Sequence, residues 1–196
     1  ASDCIRDRFW IHGGGNTSGL KDYYDFSNFA ATKGLVIVAL NYRLGALGWF
    51  SHPAIQETQS GLDKASNFGT LDIIQALKWV KNNIKKFGGD PSNVTIFGES
   101  AGGHNVLALL ASPLSENLFQ KAISQSGYTA TSSVERAHNR NNRFPLVRRG
   151  SWQITNDLTL DQHSLTDQKN ILKNLDARAF IGRYSRENQI DSIPCL

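Results

Sequence analysis

Ser100 stands at the centre of Gly98-Glu99-Ser100-Ala101-Gly102, a spacing in which a hydroxyl can be pushed out of the backbone on a tight turn and used as a nucleophile. Glycines two positions to either side leave room for neighbouring main chain and permit a turn that residues with a Cβ resist. Val94–Phe97 before it reads as a strand and Ala101–Ala111 after it as a helix. That context aims the hydroxyl at a helix N-terminus, whose partial positive charge favours a developing oxyanion. The chemistry is acyl transfer: attack on a carbonyl carbon while main-chain N–H groups hold the negative oxygen. A serine that only caps the helix is the alternative, since Ser is a favoured N-cap.

The N–H of Ala101 is one natural donor to such an oxyanion. Further donors require a glycine-rich loop from elsewhere in the chain, and His12-Gly13-Gly14-Gly15, directly after a short strand Arg8–Ile11, is the segment that fits. His104 follows Ser100 by about one helical turn. On a rigid helix it reads as a packed or hydrogen-bonded histidine and not as a base.

The elements that position these residues follow from hydrophobic period. Between residues 8 and 127 short β-rich apolar runs alternate with helical periods, the pattern of a parallel sheet covered by helices. A short helix is expected over Phe26–Thr32. Leu35–Leu40 is a continuous apolar run, suited to a central strand buried on both faces. Asn41–Asn67, punctuated by Gly45, Gly48, Pro53 and Gly61, reads as an irregular surface excursion. In Thr70–Phe87 the apolar Leu71, Ile74, Leu77, Val80 and Ile84 recur at three or four while Lys78, Lys81 and Lys85 fall elsewhere, which predicts an amphipathic helix. Gly88-Gly89 offers it a left-handed C-cap, and Asp90-Pro91 turns the chain toward the next strand. Lys121–Gln125 is a further strand. Beyond Gly127 come a polar loop and helical pieces near 151–158, 166–175 and 176–184.

With 196 residues and 40% hydrophobic content, the chain can bury one sizeable core. A net charge of +4 is too mild to argue for a nucleic-acid partner. The excess lies in Arg136, Arg140, Arg143, Arg148 and Arg149, and reads as a solvated loop. No apolar run is long enough to span a bilayer. Cys4 and Cys195 alone give neither a disulfide scaffold nor a metal site, and no motif implies a metal or organic cofactor. Asn16-Thr17-Ser18 and Asn93-Val94-Thr95 fit the glycosylation sequon but arise easily by chance, so a secreted or periplasmic location stays open.

The run from Phe87 to Gly102, FGGDPSNVTIFGESAG, resembles the active-site signature of type B carboxylesterases, the family that includes the cholinesterases. The resemblance extends to Trp10–Gly15, Asn41–Gly45, Asn67–Asp72, Ala76–Trp79 and Gln125–Gly127. It implies an α/β-hydrolase fold, here incomplete, with a mostly parallel sheet flanked by helices. It makes Ser100 the acylated nucleophile and Gly14, Gly15 and Ala101 the oxyanion-hole donors. Glu99 would flank the nucleophile, where its charge could favour an imidazolium or a cationic substrate; a structural carboxylate is the alternative. Ser126 would support the site, or be simply a serine at a strand end. Arg43 and Asp72 match positions that form a structural ion pair in the family. Residues 1–127 would be the core and 128–196 a loop and helical segment that begins the lid or substrate-pocket region.

The function implied is hydrolysis of a small-molecule carboxylic ester through an acyl-enzyme. The alternative is a non-catalytic interaction module, as in adhesion proteins that share the fold, or an inactive truncated product. Retention of Ser100, Glu99 and all three donors favours the enzyme, since a binding module gains nothing from a strained turn. A triad in this fold runs Ser, then Asp or Glu, then His. His138 and His163 follow the nucleophile helix but in a polar loop and a helical stretch, not after a strand. The acid and base are therefore expected outside these residues, and the chain is expected to be the N-terminal part of a longer esterase, inactive alone.

Overall fold

A computed structural model describes residues 6–52, 56–129, 164, 166–167 and 170. The chain divides into two units, Ala1–Leu44 with Phe68–Thr131 and Gly45–Asn67 with Ser132–Leu196. His138, His163, Cys4, Cys195 and the arginine cluster lie outside the described residues, as do most of the helical pieces expected after 150.

The first unit holds a parallel four-stranded sheet. Its strands are β1 (Arg6–Ile11), β2 (Leu35–Ala39), β3 (Val94–Glu99) and β4 (Lys121–Gln125), in the order β2-β1-β3-β4. Parallel neighbours need crossovers, and the helices supply them. They are α1 (Ser27–Lys33) between β1 and β2, α3 (Phe68–Asn83) before β3, and α4 (Ala101–Ala111) between β3 and β4. The core lies on β1 and β3, where Phe9, Ile11, Val94 and Ile96 are buried completely or nearly so. Each such side chain contributes roughly 1.5–3 kcal/mol relative to exposure. Arg8 and Thr95, opposite each other in the β1–β3 register, are joined by a bond from the guanidinium to the hydroxyl.

The expectation of a central, doubly buried strand at Leu35–Leu40 is corrected. Among the described residues β2 pairs only with β1 and stands at the sheet edge, and its five residues are half-buried throughout. An apolar run reports what covers the faces of a strand, not how many neighbours pair with its backbone; α1 packs on β2.

α3 buries Ile74, Leu77 and Val80 as expected, adds Ile73 to the inward stripe and leaves Leu71 half-buried at its edge. Its α-helical part ends at Asn83, and Ile84–Phe87 continues as a tighter 3-10 turn. Gly88, at φ 82°, closes that turn by donating to the Ile84 and Lys85 carbonyls, the C-cap expected from the sequence.

In the second unit, Gly45–Trp49 forms the short helix α2, and Gly61–Ala65 is a 3-10 turn. The expected irregular excursion thus contains local helix. Gly45 and Gly48 disfavour a long helix, but a single helical turn tolerates them because few bonds depend on each residue.

Candidate active site

β3 delivers the pentapeptide. After Glu99 the chain reverses through Ser100 at φ 54° and ψ −120°, a conformation that residues with a side chain rarely adopt. The Ser100 N–H donates to the Gln125 carbonyl at 2.9 Å, and the Ser100 carbonyl accepts the His104 N–H at 2.9 Å as the first bond of α4. The Ser100 side chain makes no capping hydrogen bond to the helix. The hydroxyl is therefore left out of the helix start, although Ser at that position commonly caps.

Glycines create the space for this reversal. A Cβ on Gly102 would lie 2.0 Å from the Ile11 carbonyl oxygen, and one on Gly98 would lie 2.5 Å from the Gly102 backbone. On Gly103 it would lie 2.6 Å from the Gln125 carbonyl, and on Gly127 2.6 Å from the Gly103 backbone. The ends of β1, β3 and β4 thus meet the start of α4 at backbone contact. Ser124 Oγ seals the same junction by donating to the Gly103 carbonyl at 3.0 Å.

β1 delivers the glycine loop to the same point. A Cβ on Gly13 would lie 2.8 Å from the Glu99 carbonyl, 3.0 Å from Glu99 Oε2 and 3.2 Å from Ser100 Cβ. Gly14, Gly15 and Asn16 then follow with φ of 106°, 64° and 59°. The loop's carbonyls are held one by one. His12 Nδ1 donates to the Gly13 carbonyl at 2.8 Å. The Gly14 carbonyl accepts the N–H groups of Thr17 and Ser18 at 3.1 and 3.0 Å. No peptide among the described residues is cis, and in a trans peptide the N–H points opposite to the carbonyl. Fixing the Gly13 and Gly14 carbonyls therefore fixes the directions of the Gly14 and Gly15 N–H groups. The third expected donor, the Ala101 N–H, belongs to the first turn of α4, where helix geometry supplies no intrahelical acceptor.

His12 itself is a wall of the loop. Its ring is buried, stacks on Tyr42 at 4.5 Å and 19°, and leaves no room for a side chain at Gly19. Burial holds its imidazole below the usual histidine range, against the opposing pull of the bond to Gly13. With Nδ1 donating to a carbonyl, Nε2 is left as an acceptor with no partner among the described residues. Burial thus favours the neutral ring, which stands between the loop and Tyr42.

Of the other expected residues, Glu99 is half-buried beside Gly13, and Ser126 is exposed at φ 53° just after β4. His104 is a packed and hydrogen-bonded histidine: its Nδ1 bonds the Tyr128 carbonyl, and its ring lies 4.8 Å from that of Tyr128. Arg43 and Asp72 form a two-pronged pair at 2.8 Å on both arms, and the Arg43 N–H adds a third bond to the same carboxylate at 2.9 Å. No group of three or more His, Cys, Asp or Glu able to hold a metal occurs among the described residues, nor any helix long and apolar enough to cross a membrane.

Three further participants, Asn16, Tyr42 and Asn105, are marked as site residues by no motif, although Asn16 opens a sequon and Tyr42 lies within Asn41–Gly45. Tyr42 Oη donates to the His12 carbonyl at 2.6 Å, and Asn105 Nδ2 donates to Asn16 Oδ1 at 2.9 Å. One signal is present in the sequence: Asn105 is a polar residue on the face of an apolar helix that Ala101 and Leu109 also occupy, and buried amides need partners.

Comparison with known proteins adds relatives. The carboxylesterase family model matches residues 8–194. The chain is 52% identical over 120 residues to the fumonisin B1 esterase of Sphingopyxis macrogoltabida, covering 60% of this chain and 22% of that protein. It is 48% identical over 130 residues to the para-nitrobenzyl esterase of Bacillus subtilis (strain 168), covering 65% and 26%. A solved PNB esterase superposes with a TM-score of 0.74 at 34% identity over 95% of this chain and 36% of that one. The Geobacillus stearothermophilus carboxylesterase gives 0.74 at 30% identity over 95% and 37%. The chain thus spans about a fifth to a quarter of the length of these curated relatives, and its fold is that of the α/β-hydrolase carboxylesterases.

Proposed function

The chain belongs to the carboxylesterase family, and from that premise we propose that it carries the nucleophile and oxyanion hole of a carboxylic ester hydrolase. Ser100 Oγ attacks the ester carbonyl carbon as an imidazole base takes its proton. The carbonyl oxygen becomes an oxyanion held by the N–H groups of Gly14, Gly15 and Ala101. Collapse breaks the bond to the alcohol, which leaves with the proton, and water then hydrolyses the acyl-Ser100 ester by the same steps in reverse. Glu99 and Ser126 support the site, Glu99 by placing negative charge beside the nucleophile and Ser126 from the turn after β4.

The base and its orienting carboxylate come, in this proposal, from parts of the protein beyond these residues. A triad in this fold runs Ser, then Asp or Glu, then His, whereas His12 precedes Ser100 and His104 follows it by only four residues on the same rigid helix. The observation that carries the reading is the backbone of Ser100, at φ 54° and ψ −120° with Gly13 packed on its Cβ and no capping bond from its hydroxyl. A turn with that strain is kept where it presents a side chain.

The test is covalent labelling with an aryl-activated fluorophosphonate, with imidazole supplied in solution to stand in for the external base, followed by peptide mapping. Modification concentrated on Ser100 and abolished by Ser100→Ala is expected. Modification spread over exposed serines, or absent from Ser100 after long exposure, would sink the proposal. Turnover of a short-chain aryl ester by the 196 residues alone, dependent on Ser100, would instead refute the external base.

A further inference from the structure

The nucleophile helix and the glycine loop are joined by a bond that the reaction itself does not use. Asn105 is 2% exposed and lies on the buried face of α4. Burying an amide is unfavourable unless it is hydrogen-bonded, and apolar side chains fill the neighbouring buried positions Val106 and Leu109. Its Nδ2 donates to Asn16 Oδ1 at 2.9 Å, across 89 residues of sequence. Asn16 is the residue directly after Gly15 and shares its left-handed backbone at φ 59°. Tyr42 Oη also approaches Asn16 Oδ1, at 3.4 Å, while donating to the His12 carbonyl at 2.6 Å. The loop from 12 to 16 is thereby held at both ends, and Asn105 is the member of the set that rides on the same helix as Ser100.

We propose that Asn105 is a positioning residue: through Asn16 it fixes the Gly14–Gly15 loop relative to Ser100, so that donors and nucleophile move as one body. The proposal rests on the nucleophile and oxyanion-hole reading above. It assigns Asn105 no contact with substrate. It also accounts for the left-handed Asn16, since a side-chain oxygen that must face inward from that point of the loop requires the chain to turn there.

The direction of the bond gives the test. Asn16 supplies an acceptor, so Asn16→Asp keeps the link. Asn105 supplies the donor, so Asn105→Leu removes it with a larger side chain of the same branching. The paired change N16D/N105D, read at alkaline pH so that the two acids do not share a proton, sets two carboxylates against each other at wild-type shape. Backbone ¹⁵N order parameters are read in the full 196-residue chain at Gly14 and Gly15, with Val106 and Leu109 as internal controls. Values near about 0.85 are expected in the wild type and in Asn16→Asp, falling below about 0.6 at Gly14 and Gly15 in Asn105→Leu and in N16D/N105D, with the controls unchanged. If Asn105→Leu does not fold, the paired change decides the matter.

The rate of Ser100 phosphonylation is expected to fall roughly tenfold with the order parameters, short of the 10²–10³ loss for removing a donor outright. Order parameters that stay high in both donor-loss variants, or that drop equally at Val106 and Leu109, overturn the proposal. Absence of labelling in the wild type, with the order parameters behaving as stated, overturns the nucleophile reading and leaves the link standing.

Discussion

Gly102 packs its α-carbon against the end of β1 so closely that a Cβ would stand 2.0 Å from the Ile11 carbonyl oxygen and 2.8 Å from that of His12. Both obstacles are backbone, so no side chain can swing away to make room. Gly102→Ala must push α4 from β1, carrying Ser100 away from Gly13. Overpacking of this kind costs about 3 kcal/mol. Urea unfolding should register that loss, and fluorophosphonate labelling of Ser100 should fall with it. A loss below about 1 kcal/mol would mean that the junction yields and that the spacing is not set by contact.

Ser100 occupies a backbone conformation that glycine adopts freely. Ser100→Gly should therefore raise stability, by roughly 1–2 kcal/mol, while abolishing labelling. Thermal or urea unfolding of Ser100→Gly beside Ser100→Ala separates the two effects, because alanine keeps the strain and loses the hydroxyl. Equal stability of the two variants would show that the turn stores nothing.

Asp7, on β1 at the end far from Ser100, is 1% exposed. Burial, helped by the nearby Asp90 charge and opposed by the Asp90 N–H bond at 2.8 Å, raises its pKa from 3.8 to about 6. The folded state therefore holds its proton more tightly than the unfolded state does. Stability is greatest below pH 3.8 as far as this group is concerned, and falls as pH rises from there through about 6. The full effect is roughly 3 kcal/mol. Asp7→Asn keeps the acceptor for Asp90 and removes the titration. Its advantage over the wild type should grow from near zero at about pH 4 to about 2–3 kcal/mol at about pH 7.5, by urea unfolding at each pH. An advantage that does not vary with pH would exclude Asp7 as its source.

Arg43 and Asp72 are half-exposed and part-buried, with side-chain exposures of 49% and 28%, so their charge attraction is partly screened. The geometry, with three donors on one carboxylate and the guanidinium 5.0 Å from the Phe68 ring, contributes more than the charge. Asp72→Ala is expected to cost roughly 1–2 kcal/mol and Arg43→Lys about 1 kcal/mol, since lysine cannot fork. Differential scanning calorimetry measures both. Neither should alter labelling of Ser100, and loss of labelling in a folded Asp72→Ala would place the pair in the site.

The turn at Ser100 is legible in the sequence because its requirement is written in glycines. Gly98 and Gly102 are there for want of space, and their spacing around Ser100 carries that demand into the sequence. Strand limits are legible to within two residues, and helix ends for a kindred reason: Gly88 closes the turn after α3, and Pro113 follows the end of α4. The edge position of β2 is not, because Leu35–Ala39 has the composition of any covered parallel strand and no residue names its neighbours. Nor is the bond from Asn105 to Asn16 legible as a link. Each residue is ordinary by itself, and only the pairing of β1 with β3 brings the two within reach. His12 stands out as part of a loop motif, whereas its packing on Tyr42 depends on a ring 30 residues away.

That pairing also governs when the site can exist. Phe9 lies opposite Ile96, and the bond from Arg8 to Thr95 spans 87 residues. Closing so long a loop is entropically uphill before any contact rewards it. On a chain emerging from the ribosome, the His12–Gly15 segment is made early and waits without a partner for β3. The reversal at Ser100 waits further, for the Gln125 carbonyl that anchors it. The strained turn at Ser100 is thus among the last features to be locked, which keeps it from forming before the sheet that restrains it.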